Sequence, residues 1–156
     1  MIDIVDELRS VVEKLNEHGI EYALCGGMAM GVHGFLRMTI DIDFLIPTEF
    51  VAEAMKLAGE LGYTIRGKDL SFKGGAVEIR RISKPDPQPG GDVLPLDFLL
   101  VTPPIKAVWD SRVEVEWEGG RFSVVSRDGL IELKKLRGSS QDVVDIERLL
   151  SKDDNT

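Results

Sequence analysis

Two aspartates, Asp41 and Asp43, sit inside TIDIDFLI, the most strand-like run of the chain. In a strand, residues two apart share a face, so both carboxylates point one way while Ile40, Ile42 and Phe44 point the other. Neighbouring carboxylates raise each other's pKa and resist leaving water together. Such a strand either lies at an edge with its aspartates in solvent, the commoner meaning of a bare D-x-D, or it offers both to a divalent cation. Hard cations take carboxylate oxygens as ligands.

The flanking residues favour the second arrangement. Upstream, CGG (Cys25 to Gly27) joins the apolar run EYALC to the helical stretch MAMGVHGF. A strand that turns straight into a helix leaves backbone N–H groups free to receive an anion, and glycines let a phosphate come close. Alone, Gly26-Gly27 reads equally as a tight turn. No Gly-Lys-Ser/Thr follows and no G-x-G-x-x-G is present, so neither standard phosphate loop applies. Downstream, Asp97 in PLDFLL takes the opposite face from Leu96 and Phe98. If that strand lies beside TIDIDFLI, three carboxylates converge, enough to hold two metal ions about 4 Å apart. The alternative for Asp97 is a strand-end charge in solvent.

Periodicity fills in the rest. Ile4, Leu8, Val11, Val12 and Leu15 mark an amphipathic helix that Gly19 ends. PTEFVAEAMKLAGELG reads as a helix capped by Thr48. YTIR, LSFK and AVEIRRI are β, SKPDPQPGGD is an extended loop, and Pro95 suggests an edge or bulge in VLPLDFLLV. VEVEWE and RFSVV flank Gly119-Gly120 as a hairpin. Ser126 caps RDGLIELKKLR, Gly138 stops it, and Ser139 caps SQDVVDIERLL in a box with Asp142. The expected class is α+β, a mixed β-sheet with flanking helices and a C-terminal helical hairpin. Residues 1–152 are expected to form one domain, with 153–156 a frayed tail.

The 156 residues suffice for a core without disulfide or structural metal, and Cys25 is the sole cysteine. It reads as a small buried residue, His18 and His33 as surface or cap residues, and Trp109 and Trp117 as packing residues. The acidic start MIDIVDELRS does not resemble a signal peptide, and no run reaches the ~20 apolar residues of a membrane span. A cytoplasmic protein without membrane contact is expected. A net charge of −8 argues against a sequence-independent grip on nucleic acid, but a divalent cation reverses the sign of an acidic site.

CGGMAMGVHGFLRMTIDIDFLI, with the later LDFL, resembles the signature of the DNA polymerase β-like nucleotidyltransferase superfamily. LRMTIDID and LIELKKLRGSSQDVVDIERL are similar to its small branch of AbiEii-type toxins and minimal nucleotidyltransferases. The resemblance implies a nucleotidyltransferase-like fold and transfer of a nucleoside monophosphate from a nucleoside triphosphate, with Mg2+ or Mn2+ as cofactor. By the same resemblance, Asp41, Asp43 and Asp97 hold the metals and Asp97 also serves the attacking hydroxyl. Gly26, Gly27, Arg37, Thr39 and Lys134 contact the nucleotide. Ser139 departs from the pattern, standing where many relatives of this branch carry a basic residue.

The acceptor stays open among a tRNA, a protein and a small molecule, as does a homodimer or a partner protein in a toxin–antitoxin pair. Two other functions compete. D-x-D also occurs in glycosyltransferases, whose folds generally need a longer chain, and an inactive relative could act as a binding partner or antitoxin.

Overall fold

The computed structural model describes residues 2–35 and 39–154. Eight strands form one mixed sheet, with six α-helices among the described residues. The sheet order is β3-β5-β6-β2-β1-β8-β7, and β4 pairs with β5. These strands are β1 (Ala23–Cys25), β2 (Ile42–Ile46), β3 (Ile65–Arg66), β4 (Leu70–Phe72), β5 (Val77–Pro85), β6 (Val93–Leu100), β7 (Val113–Trp117) and β8 (Gly120–Val124). The α+β class with a C-terminal helical hairpin is therefore the observed one.

The first helix, α1 (Ile4–Glu17), shows how local chemistry sets each boundary. Asp3 caps it by accepting from the Val5 and Asp6 N–H groups, and Leu8, Val11, Val12 and Leu15 form its buried stripe. Gly19 then takes a φ of +67°, which lets the Ile20 N–H reach the Leu15 carbonyl at 3.0 Å. The chain continues through β1 into α2 (Gly26–Val32), and after β2 a 3-10 turn (Thr48–Phe50) leads into α3 (Val51–Glu60). Thr48 does not cap that helix. It opens the 3-10 turn, and its hydroxyl makes no capping bond.

Three expectations shift in the sheet. β2 starts at Ile42 rather than Thr39, because the Thr39 hydroxyl donates to the Asp41 carbonyl (3.1 Å) just before the strand begins. Strand β5 extends through Ser83-Lys84-Pro85, so the proline-rich loop shortens to residues 86–92, closed by a 3.1 Å bond from the Asp86 N–H to the Asp92 carbonyl. Pro95 lies in an interior strand, but β2 first pairs with β6 at Leu96, so beside Pro95 the strand has a neighbour on one side only. That satisfies the constraint proline imposes on a ladder.

Ile42, Phe44, Leu96 and Phe98 are wholly buried on one side of the central pair, with the Phe44 and Phe98 rings stacked 6.2 Å apart. After α4 (Lys106–Asp110) and the β7–β8 hairpin, the chain ends in α5 (Arg127–Arg137) and α6 (Ser140–Asp154). Ser126 caps α5 through the Gly129 N–H, and Gly138 leaves it with φ +69°. Ser139 and Asp142 bond reciprocally, N–H to side chain at 3.0 and 3.1 Å, completing the capping box at α6. Helix α6 continues to Asp154. His18 and His33 close α1 and α2, their rings bonded to the Lys14 and Val125 carbonyls. No helix of the described residues is long and apolar enough to cross a membrane.

Candidate active site

Strands β2 and β6 run parallel as direct neighbours, and Asp43 pairs in register with Asp97. Asp41 stands one residue before β2, on the same side. Oxygens of Asp41, Asp43 and Asp97 lie within 4.8 Å of one another. Sheet pairing thus assembles on one surface three carboxylates separated by up to 56 positions in sequence.

The turn from β1 into α2 closes the floor of this cluster. Gly26 has a φ of +70°, and a Cβ there would lie 2.3 Å from the Asp43 Oδ2. Only glycine accepts both the left-handed backbone and the contact. Although Asp43 as a residue is partly exposed, its carboxyl is pressed against this turn. Burial pushes its pKa well above the usual carboxylate range, Asp41 and Asp97 push it further, and Arg137 and Arg81 oppose them. Cys25, beside it, is buried and its thiol is likewise pushed up, first by burial and then by Asp43, which leaves it unreactive.

Gly26→Ala should therefore destabilise the fold by roughly 1–3 kcal/mol, the usual cost of a strained backbone position. Urea unfolding measures this. A stability within about 0.5 kcal/mol of wild type, the range of an ordinary surface change, would show that Asp43 is not held by the turn.

Two cavities meet at Asp43. One, of about 160 Å³, is polar and is bordered by Gly26, Gly27, Thr39, Asp41, Asp43 and Arg137. No side chain caps the first turn of α2 at its wall. The other, of about 60 Å³, runs from Asp43 and Asp97 between the sheet and α5, with aliphatic walls from Val77, Ile79, Leu99, Leu130 and Leu133.

The site residues expected from sequence fall into four groups. Asp41, Asp43, Asp97, Gly26 and Gly27 are together. Thr39 is adjacent, bonded to the Asp41 carbonyl, with its hydroxyl 3.5 Å from Oδ1, too far for a strong bond. Arg37 lies outside the described residues. Lys134 borders both cavities, including the polar one where a phosphate-contacting cation was expected. It is buried, with its ammonium 2.8 Å from Asp145 and 3.7 Å from Asp142, two aspartates also shut away from water. A buried charge needs such partners, and Lys134 spends its charge inside the α5–α6 hairpin.

Two arginines at the site, Arg81 and Arg137, were not among the residues expected from sequence. Arg137, one helical turn beyond Lys134, pairs with Asp142 at 3.2 Å and keeps about half of its side chain exposed. Arg81 on β5 stands in register with Asp97 and grips it with two bonds, Nε to Oδ1 at 2.7 Å and Nη2 to Oδ2 at 2.8 Å. The available signals were the strand alternation of AVEIRRI and the spacing of Lys134, Arg137, Asp142 and Asp145 around Gly138.

The cluster suits a divalent cation on its own terms. The donors are all carboxylate oxygens, and the Asp43 pKa is raised first by burial and then by Asp41 and Asp97, a cost to its charged form that a bound cation would offset.

No protein-family model and no curated relative matches the chain. Solved structures do resemble it. TM1012 from Thermotoga maritima, carrying a provisional nucleotidyltransferase assignment, superposes with a TM-score of 0.62 at 14% identity, over 97% of this chain and 96% of that one. ANT(2'')-Ia in complex with adenylyl-2''-tobramycin gives 0.60 at 14% identity, covering 95% and 88%. The lincosamide antibiotic adenylyltransferase LnuA, bound to lincomycin, gives 0.60 at 13% identity, covering 94% and 96%. At these identities the likeness is one of fold, and the chain has a nucleotidyltransferase-like fold.

Proposed function

We propose that this protein is a metal-dependent nucleotidyltransferase that moves a nucleoside monophosphate from a nucleoside triphosphate to a hydroxyl of a small-molecule acceptor. The observation that carries the reading is the convergence of Asp41, Asp43 and Asp97 within 4.8 Å. The fold likeness to ANT(2'')-Ia and LnuA supports it, and their antibiotic ligands favour a small-molecule acceptor.

Asp41, Asp43 and Asp97 would hold Mg2+ or Mn2+, which supplies charge neutralisation for the triphosphate and the developing transition state. Gly26 and Gly27 would carry phosphate on their backbone at the wall of the polar cavity. Arg137 faces the same cavity, where a guanidinium can offset charge building on the departing pyrophosphate. The acceptor hydroxyl oxygen forms a bond to the α-phosphorus as the bond from that phosphorus to the bridging oxygen breaks. Pyrophosphate leaves, and Asp97 receives the hydroxyl proton. The aliphatic cavity opens beside Asp97, so an apolar part of the acceptor would lodge there.

Thermal unfolding tests the reading. ATP, GTP, CTP or UTP with Mg2+ should raise the melting temperature, by about 2.7 kcal/mol of stabilisation at a hundredfold excess over the dissociation constant. Without the metal the acidic cluster repels the triphosphate, so the rise should vanish in EDTA. Equal stabilisation with and without metal, or none with any of the four, would defeat the proposal. The Arg81 grip on Asp97 favours one other reading, a catalytically silent member of the fold that binds a nucleotide or protein partner. It predicts nucleotide stabilisation without pyrophosphate release.

A further inference from the structure

The antiparallel pairing of β5 with β6 sets Arg81 opposite Asp97, and the guanidinium fork engages both carboxylate oxygens. The Asp97 side chain is 9% exposed and the Arg81 side chain 40%, so the pair lies at the mouth of the site with the cation outermost. The arginine stem has a prepared bed. A Cβ at Gly67 would come within 3.2 Å of the Arg81 Cβ and Cγ. The Arg81 carbonyl accepts from the Gly67 N–H at 3.0 Å and the Arg66 Nη1 at 2.9 Å. The stem is thus fixed on β5 and the head aimed at β6. Of the three clustered carboxylates, Asp97 alone has an ion-pair partner among the described residues.

We propose that Arg81 is an internal counterion that occupies the third carboxylate and competes with the metal for its oxygens, so that Arg81 sets how tightly the site takes a cation. The inference rests on the metal-binding reading of the cluster given above. Three carboxylates this close need positive charge. Arg81 supplies one such charge in the absence of metal, and it does so on the very oxygens that a hard cation would ligate. A cation on Asp97 would stand within about 5 Å of the guanidinium, where like charges repel. Loading the site therefore requires the fork to release at least one oxygen. Arg81 is free to turn outward because its head is at the surface. A guanidinium that merely propped Asp97 in place would make the opposite prediction, since its removal would loosen a ligand and weaken the metal.

Mn2+ binding to the nucleotide-free protein, followed by electron paramagnetic resonance, distinguishes the two. Arg81→Gln should bind Mn2+ roughly tenfold more tightly than wild type, the scale of one lost hydrogen bond to a charged group. The same variant should melt lower than wild type in EDTA and recover that loss in saturating Mn2+. Arg81→Lys keeps a charge but loses the fork, so it should bind about threefold more tightly and serves if Arg81→Gln does not fold. Arg121→Gln, on the distant β7–β8 hairpin, should leave Mn2+ affinity unchanged. Unchanged or weaker Mn2+ binding in the Arg81 variants, with wild type binding normally, would overturn the counterion role and leave the proposed transferase intact. Absence of Mn2+ binding in every protein, with ATP present or not, would remove both.

Discussion

Asp43→Asn should stabilise the metal-free protein and abolish its stabilisation by Mg2+ and nucleoside triphosphate, so that the ranking of the two proteins reverses when ligand is added. The first half follows from the environment of the carboxyl. Burial against the Gly26 turn, then Asp41 and Asp97, hold the Asp43 pKa well above its ordinary value. A carboxyl whose folded pKa exceeds its unfolded one binds more protons in the native state, so stability falls as pH rises from the unfolded pKa to the folded one and stays low above it. Above the unfolded pKa the metal-free wild type carries a growing share of that penalty, and asparagine removes it while keeping the shape.

The gain should be about 1 kcal/mol or more, which for a chain near this length is a rise of roughly 2–4 °C. Acidification through the folded pKa of Asp43 should narrow the difference, because protonation does for wild type what the substitution does for the variant. The second half follows from the loss of a charged oxygen. Ligand stabilisation of about 2.7 kcal/mol in wild type, at a hundredfold excess over the dissociation constant, should vanish in the variant. Melting curves in EDTA and in Mg2+ with ATP, at neutral and mildly acidic pH, measure all of this. A variant less stable than wild type in EDTA would show that the native site is not electrostatically strained.

Why the sequence revealed one half of this site and not the other follows from how each half is built. Gly26, Gly27, Asp41 and Asp43 lie within 18 positions, on a strand–helix–strand unit whose alternation can be read directly. Asp97 needed one further step, that LDFL shares the in–out pattern of IDFL, and the parallel register Asp43 to Asp97 is the pairing that pattern favours.

Arg81 sits in AVEIRRI beside Arg80, and nothing local tells which of the two meets Asp97. That depends on the register across the 86–92 loop, since a shift of one residue would bring Arg80 opposite Asp97 instead. The ion-pair partners of Lys134 were hidden for a related reason. Its helix is amphipathic, but what it faces is decided by how α6 folds back after Gly138, and that docking brings Asp142 and Asp145 onto it. The caps of α5 and α6 were legible because their partners are three residues away. The missed cap at Thr48 shows the limit, since the chain took a 3-10 turn there and left the hydroxyl without its helix N–H.

Asp97→Asn should separate binding from chemistry. Asparagine keeps the volume of the side chain and a carbonyl oxygen for Arg81, so strand pairing and the approach of the triphosphate through Gly26, Gly27, Asp41 and Asp43 should survive. What disappears is the negative charge beside the aliphatic cavity, where the attacking hydroxyl would stand, and with it the group that receives its proton. Pyrophosphate release should fall by roughly 10²–10⁴-fold, the usual contribution of a positioned base. Nucleotide-dependent stabilisation should persist, in contrast to Asp43→Asn, because Asp41 and Asp43 border the polar cavity directly whereas Asp97 lies on its aliphatic side. The measurement is pyrophosphate release over a panel of hydroxyl-bearing acceptors that includes aminoglycosides and lincosamides, with melting curves taken on the same samples. Equal release by wild type and Asp97→Asn across that panel, with nucleotide bound by both, would establish the silent-binder reading in place of catalysis.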